Sequence, residues 1–188
     1  MIKGHGDDIY AYPHISANFS SNVFGGLSHE GLKEYLMEKM DCIRNYPEPE
    51  AFSLEQELAD RYQADVEGIC VTSGATEAIY LIAQAYRESR SAILMPTFSE
   101  YADACRLHAH DVVSFYTLDS LPSEVRMVWL CNPNNPTGEI REAMRLRKLV
   151  KDHPQCLFIV DQSYEAFTEQ EVLEVTESLE ASNLLLLH

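Results

Sequence analysis

The stretch Asn132-Pro133-Asn134-Asn135-Pro136-Thr137-Gly138, followed 23 residues after its glycine by Asp161-Gln162-Ser163-Tyr164, constrains this chain more than any other feature. Each half closes a run of apolar residues, Met127-Val128-Trp129-Leu130-Cys131 and Leu157-Phe158-Ile159-Val160. Short apolar runs bounded by turn formers read as buried strands. Two such strands, parallel and adjacent, deliver an amide (Asn135), a carboxylate (Asp161) and a phenol (Tyr164) to one edge of a sheet. A carboxylate placed directly after four apolar residues is costly unless a cation meets it. Asp161 is therefore read as half of an ion pair.

The rest of the chain alternates strand and helix patterns. Residues 1–27 read as an irregular arm rich in Gly, Ser, Asn and aromatics. A first helix is expected after Ser28, with Leu32, Tyr35, Leu36, Met40 and Ile43 at helical spacing, and Tyr46-Pro47-Glu48-Pro49 breaks it. Ser53 and Gln56 have the spacing of a capping box for a second helix through Tyr62. Strands are then expected at 68–72, 92–95, 111–116, 127–131, 157–161 and 183–187. Helices are expected at 76–88, 99–108 and 142–153. This alternation predicts an α/β fold, a three-layer α/β/α arrangement around a mostly parallel sheet. An arm with the first helix (1–45) precedes a larger domain (46–188). Such sheets bind ligands at the C-terminal ends of their strands, where the motifs fall.

Composition narrows the partners. Net charge is −16, which argues against nucleic acid or an anionic membrane surface but not against a small anionic ligand. No apolar run approaches the ~20 residues of a membrane span, and no apolar signal core follows Met1, so a cytoplasmic location is expected. The five cysteines (42, 70, 105, 131, 156) have no metal-ligand spacing, and buried free thiols are the expectation. No metal site is expected.

Two further turns carry site candidates. Ser73-Gly74-Ala75-Thr76-Glu77 follows an expected strand and opens a helix. The backbone amides of Gly74, Ala75 and Thr76, at the positive end of the helix dipole, suit a phosphate, although many strand-to-helix turns carry Ser-Gly. Pro96-Thr97-Phe98-Ser99-Glu100-Tyr101 follows the next strand, and Phe98 and Tyr101, at helical spacing, are either pocket or core aromatics.

Taken together, Ser-Gly-Ala-Thr-Glu, Pro-Thr-Phe, Asn-Pro-Asn-Asn-Pro-Thr-Gly and Asp-Gln-Ser-Tyr resemble the fold-type I enzymes that use pyridoxal 5′-phosphate (PLP), the aspartate aminotransferase superfamily. The resemblance covers the whole chain. It implies that Asp161 pairs with the pyridine nitrogen, that Asn135 and Tyr164 donate to the phenolic oxygen, and that Phe98 stacks on the ring. It also implies that the amides of Gly74, Ala75 and Thr76 hold the phosphate. Tyr46, in Asn45-Tyr46-Pro47, matches a tyrosine that crosses a homodimer interface to the partner's cofactor. Asp161, Tyr164 and Asn135 are the catalytic candidates.

Within the superfamily, the branch of histidinol-phosphate aminotransferase and L-threonine-O-3-phosphate decarboxylase is most similar. His5-Gly6, Phe19-Ser20-Ser21-Asn22-Val23 and Asp41-Cys42-Ile43-Arg44-Asn45-Tyr46-Pro47 resemble the decarboxylase, an enzyme of cobalamin biosynthesis. Phe24-Gly25-Gly26-Leu27 departs from its pattern. The resemblance implies a phosphorylated amino-acid substrate and makes His5, Asn22 and Tyr101 candidates for binding it. An aminotransferase remains the alternative. The five lysines (3, 33, 39, 148, 151) all precede Asp161, whereas the family's Schiff-base lysine follows the strand that here ends at Leu187. The chain is therefore expected to be an N-terminal fragment, inactive as given. A non-catalytic PLP-fold binding protein is the third reading. A generic nucleotide-binding domain is disfavoured, because neither G-x-G-x-x-G nor G-x-x-x-x-G-K-[ST] is present.

Overall fold

The computed structural model describes residues 10, 12, 14–22 and 27–188. The chain divides into two compact units, Met1–Glu50 and Ala51–His188. The first unit holds helix α1 (Glu30–Glu38) and a 3-10 turn at Met40–Arg44. Leu32, Tyr35, Leu36, Met40 and Ile43, the apolar positions that predict α1 and its extension, are all more than half exposed.

The second unit is an α/β sandwich. Its elements are α2 (Phe52–Tyr62), α3 (Ala75–Ala85), β1 (Arg90–Leu94), α4 (Glu100–Leu107), β2 (Asp111–Phe115), β3 (Met127–Cys131), α5 (Ala143–Asp152), β4 (Leu157–Asp161), α6 (Val175–Glu180) and β5 (Leu184–Leu187). The five strands form one sheet of order β2-β1-β3-β4-β5, and every pair is parallel. All five residues of β3 are buried, as a strand covered on both faces requires.

Side chains alternate between two cores. Val128, Leu130, Phe158, Val160 and Leu184 face one layer, with Leu146, Leu149 and Val150 of α5. Met127, Trp129, Cys131, Ile159 and Leu187 face the other, with Ile79 and Ala83 of α3 and Tyr101, Ala104 and Cys105 of α4. The period of two along each strand assigns the layers. A buried pin ties the second layer together: His110 Nδ1 lies 2.7 Å from Ser91 Oγ, and its Nε2 lies 2.8 Å from the Ala83 carbonyl. That carbonyl can only accept, so Nε2 donates to it.

Three local expectations differ from the structure. Residues 68–72 are not a strand: Val66–Gly68 forms a 3-10 turn and 69–72 is irregular. A strand needs a neighbour to complete its ladder, and β5, the last strand of the sheet, pairs only with β4 among the described residues. A cleft of about 280 Å³ is lined both by 68–72 and by Leu186, Leu187 and His188. The Val71 amide turns instead to Glu55 Oε1, at 2.9 Å. The capping box at Ser53 is also absent, since α2 begins at Phe52 with Ala51 as its N-cap and no side-chain cap bond. Finally, Cys42 and Cys70 are exposed, so only Cys105, Cys131 and Cys156 are the buried thiols expected. Cys70 emerges because its segment is unpaired. No helix among the described residues is long and apolar enough to cross a membrane.

Candidate active site

The candidate residues of the second unit gather where the sheet's strands end. Asp161 is the last residue of β4, and Cys131, opposite it in the register, is the last of β3. Asp161 is only 5% exposed. Its Oδ2 accepts a 2.7 Å bond from the Tyr101 hydroxyl, and its Oδ1 accepts 2.9 Å from the Ser163 amide. Both donors are neutral. No lysine, arginine or histidine among the described residues is ion-paired with Asp161. A buried carboxylate solvated by neutral donors alone is suited to meet a cation that arrives from outside the polypeptide.

Tyr101 corrects an expectation. It is 1% exposed, so it is not placed to grip substrate as foreseen. Its ring stacks on Trp129 (centroids 5.7 Å apart, planes at 23°) and meets the edge of Phe98 (5.8 Å, 82°). Burial, and then the Asp161 charge, hold its phenol well above the usual tyrosine range, so it stays a proton donor to Asp161. Phe98 is half-buried, in the loop that follows β1.

Asn135 lies in the loop after β3, where its backbone amide donates to Cys131 Sγ at 3.4 Å. Asn132 is buried and braces the start of that loop: its Oδ1 accepts from the Arg141 amide at 2.7 Å, and its Nδ2 donates to the Arg141 carbonyl at 3.1 Å. Tyr164 follows β4, half-buried, with its ring 6.1 Å from that of Phe167. Its loop is pinned by Gln162, which is fully buried and exchanges two bonds with the Leu173 backbone at 2.9 and 3.1 Å. Gln162 and Asn132 were not foreseen as supports. Their signal was a polar residue immediately after a buried strand.

The turn before α3 places Gly74 at φ +92°, a conformation costly for any residue with a Cβ. The Gly74 amide donates to the Thr72 carbonyl at 2.7 Å, and the Ser73 amide donates to Glu77 Oε2 at 2.5 Å. The Gly74 amide is thus engaged within the turn, which qualifies its expected role. Ala75 and Thr76 begin α3, and first-turn amides have no carbonyl partner within their own helix. An anion suits them, and Glu77 already brings a carboxylate to this turn.

The remaining candidates lie elsewhere. Asn22 and Tyr46 belong to the first unit, where both are exposed, Tyr46 fully. His5 lies outside the described residues. No cluster of three or more His, Cys, Asp or Glu residues suited to a metal exists among the described residues.

Residues 15–187 match the family described as Aminotransferase class I and II. A histidinol-phosphate aminotransferase of Ruminiclostridium cellulolyticum is 26% identical over 92% of the chain and 52% of its own length. A threonine-phosphate decarboxylase of Salmonella typhimurium is 29% identical over 70% of the chain and 40% of its own. Among solved structures, L-threonine-O-3-phosphate decarboxylase of Porphyromonas gingivalis superposes with a TM-score of 0.85 at 41% identity, covering 89% of the chain and 55% of that protein. The chain therefore spans about half the length of the relatives it matches.

Proposed function

Because the chain belongs to the class I and II aminotransferase family, we propose that it is the cofactor-binding portion of a PLP-dependent enzyme acting on a phosphorylated amino acid. Decarboxylation of L-threonine O-3-phosphate, a step of cobalamin biosynthesis, is the reaction favoured. One observation carries the cofactor reading: the Asp161 carboxyl group is buried and accepts hydrogen bonds from the neutral donors Tyr101 and Ser163. A protonated pyridine is the cation that such a carboxylate suits. The solved decarboxylase at 41% identity supports the choice of substrate.

When bound, PLP supplies an electron sink for a bond at the substrate's Cα. The chain's own residues prepare its place. Asp161 would keep the ring nitrogen protonated, while Tyr101 and Ser163 hold the carboxylate in position. Phe98 would pack on the ring, and Asn135 and Tyr164 would donate to the phenolic oxygen. The amides of Ala75 and Thr76 would receive the phosphate, joined by that of Gly74 on exchange of its bond to the Thr72 carbonyl. In this reading Asn22 and His5 serve the substrate, and Tyr46 crosses to a second protomer of a cytoplasmic homodimer. The N-terminal portion, 1–45, contributes to that contact.

The 188-residue chain alone is proposed to bind PLP without turnover, since its lysines all precede Asp161. Titration with PLP, followed by absorbance, should give a saturable, protein-perturbed band that Asp161→Ala abolishes. Borohydride reduction followed by intact mass should give no stable adduct on any lysine. A chain with no saturable band would overturn the cofactor reading.

A histidinol-phosphate-type aminotransferase is the second reading, favoured by the relative matched over 92% of the chain. In the complete protein, CO₂ release from L-threonine O-3-phosphate without a keto acid would support decarboxylation. Strict dependence on 2-oxoglutarate would support transamination. A PLP-binding protein without catalysis is what would remain if neither activity appeared.

A further inference from the structure

The strand order β2-β1-β3 makes the chain leave β1 in one direction for β2 and return on its other side as β3. Between the C-terminal ends of β1 and β3 lies the crevice where open parallel sheets seat their ligands. Two loops flank it. The one after β1 carries Phe98, and the one after β3 carries Asn135.

The side chain of Asn134 joins these loops. Asn134 Nδ2 donates to the Pro96 carbonyl at 2.9 Å and to Thr137 Oγ1 at 2.7 Å, while its Oδ1 accepts from Thr97 Oγ1 at 2.9 Å. A carbonyl has no proton to give, so Pro96 fixes which end of the amide faces it. The backbone of Asn134 is committed too: its N–H donates to the Glu139 carbonyl at 2.9 Å, and its carbonyl accepts from the Gly138 amide at 2.7 Å. Each polar group of Asn134 is thus engaged inside the two loops. Its role is to hold them, one peptide unit away from a neighbour of the same type read as a cofactor ligand.

We propose that Asn134 is a positioning residue, which fixes the Phe98 loop against the Asn135 loop so that ring wall and amide donor are spaced before the cofactor arrives. This rests on the PLP reading given above. Without the clamp, the loops must be ordered on binding, and that entropy is subtracted from affinity. Thr97 is the other half of the clamp through its hydroxyl alone, so serine in its place preserves the bond and valine removes it.

The test uses the 188-residue chain, with PLP as the probe and three readouts: dissociation constant, circular dichroism induced in the cofactor band at saturation, and thermal midpoint without cofactor. Free PLP is achiral, so the induced signal reports a fixed orientation, which a merely structural role would leave unchanged. Asn134→Ala is expected to bind PLP about tenfold more weakly, with a smaller induced signal per bound cofactor. Thr97→Val should move both readouts the same way, and Thr97→Ser should restore them. Wild-type affinity and induced signal in Asn134→Ala would overturn the proposal, as would a Thr97→Ser variant as impaired as Thr97→Val. Should Asn134→Ala fail to fold, the two Thr97 variants decide. A wild-type chain with no saturable PLP binding would remove the cofactor reading and this proposal with it, a pattern distinct from loss of the variant effect alone.

Discussion

The Tyr101 hydroxyl donates a 2.7 Å hydrogen bond to Asp161 Oδ2 inside the second core, linking α4 to the end of β4. The phenol is 1% exposed and the carboxylate 5%. Water therefore does little for either, and the bond carries much of the solvation of the charge.

Tyr101→Phe and Asp161→Asn should consequently rank in opposite orders by two measures. Removing the phenol oxygen leaves a buried charge with one donor fewer, at a cost of ~1–3 kcal/mol. Removing the charge relieves that burden, so Asp161→Asn should cost less stability in urea unfolding of the cofactor-free chain. PLP affinity should behave inversely, Asp161→Asn losing more than Tyr101→Phe. The same order in both assays would mean that Asp161 is a structural residue rather than a cofactor ligand.

The cysteines give a chemical check on the core. Burial pushes the Cys105 thiol up to about 11 and also raises those of Cys131 and Cys156. The thiolate is the reactive form, so these three should resist alkylation in the native state. Cys42 and Cys70 are exposed. Brief iodoacetamide treatment near neutral pH should add two groups by intact mass, and five after denaturation. Native modification of Cys131 would show that the floor of the site is open to solvent.

What the sequence revealed follows from how local each signal is. The runs 127–131 and 157–161 are strands over those same residues, because both strands are central and their burial is written in the residues themselves. The strand expected at 68–72 depended on a neighbour, and no local pattern encodes a pairing partner. Site readings divide in the same way. Asp161 stood out because a charge after four apolar residues is conspicuous. Asn134 did not, since an asparagine among prolines reads as a turn former, and its bonds to Pro96 and Thr97 span 38 and 37 residues. Tyr101 was legible as a pocket or core aromatic, but which way its hydroxyl points depends on Asp161, 60 residues further on.

Helix α6 is fastened by charge, and this makes its docking pH-dependent. Arg147 grips Glu177 through Nε (2.7 Å) and Nη2 (2.8 Å) and reaches Glu171 through Nη1 (2.5 Å). Glu177 also closes the capping box with Glu174. The hydrogen bond from Arg147 lowers the Glu177 pKa. A depressed folded-state pKa contributes stability above the unfolded value, about 4.3 for glutamate, and that contribution is lost as pH falls through the folded value. Both side chains are partly exposed, so Arg147→Ala should cost only ~0.5–1 kcal/mol at neutral pH. The difference from wild type should shrink below about pH 4. A constant difference down to pH 2 would assign the loss to packing instead.

The free side of β5 sets the last expectation. Beyond β4, no strand pairs with Leu184–Leu187 among the described residues, and the cleft of about 280 Å³ runs along this edge to 68–72. An unpaired apolar edge invites a strand from another chain. The 188-residue chain should therefore self-associate with rising concentration when followed by size exclusion with light scattering. Leu185 is 37% exposed on that strand, and Leu185→Lys places a charge where a second strand would approach, so it should shift the distribution toward monomer. A wild-type chain that stays monomeric at every concentration would show that this edge is already protected by its own segment 69–72. In that case Leu185→Lys would change nothing.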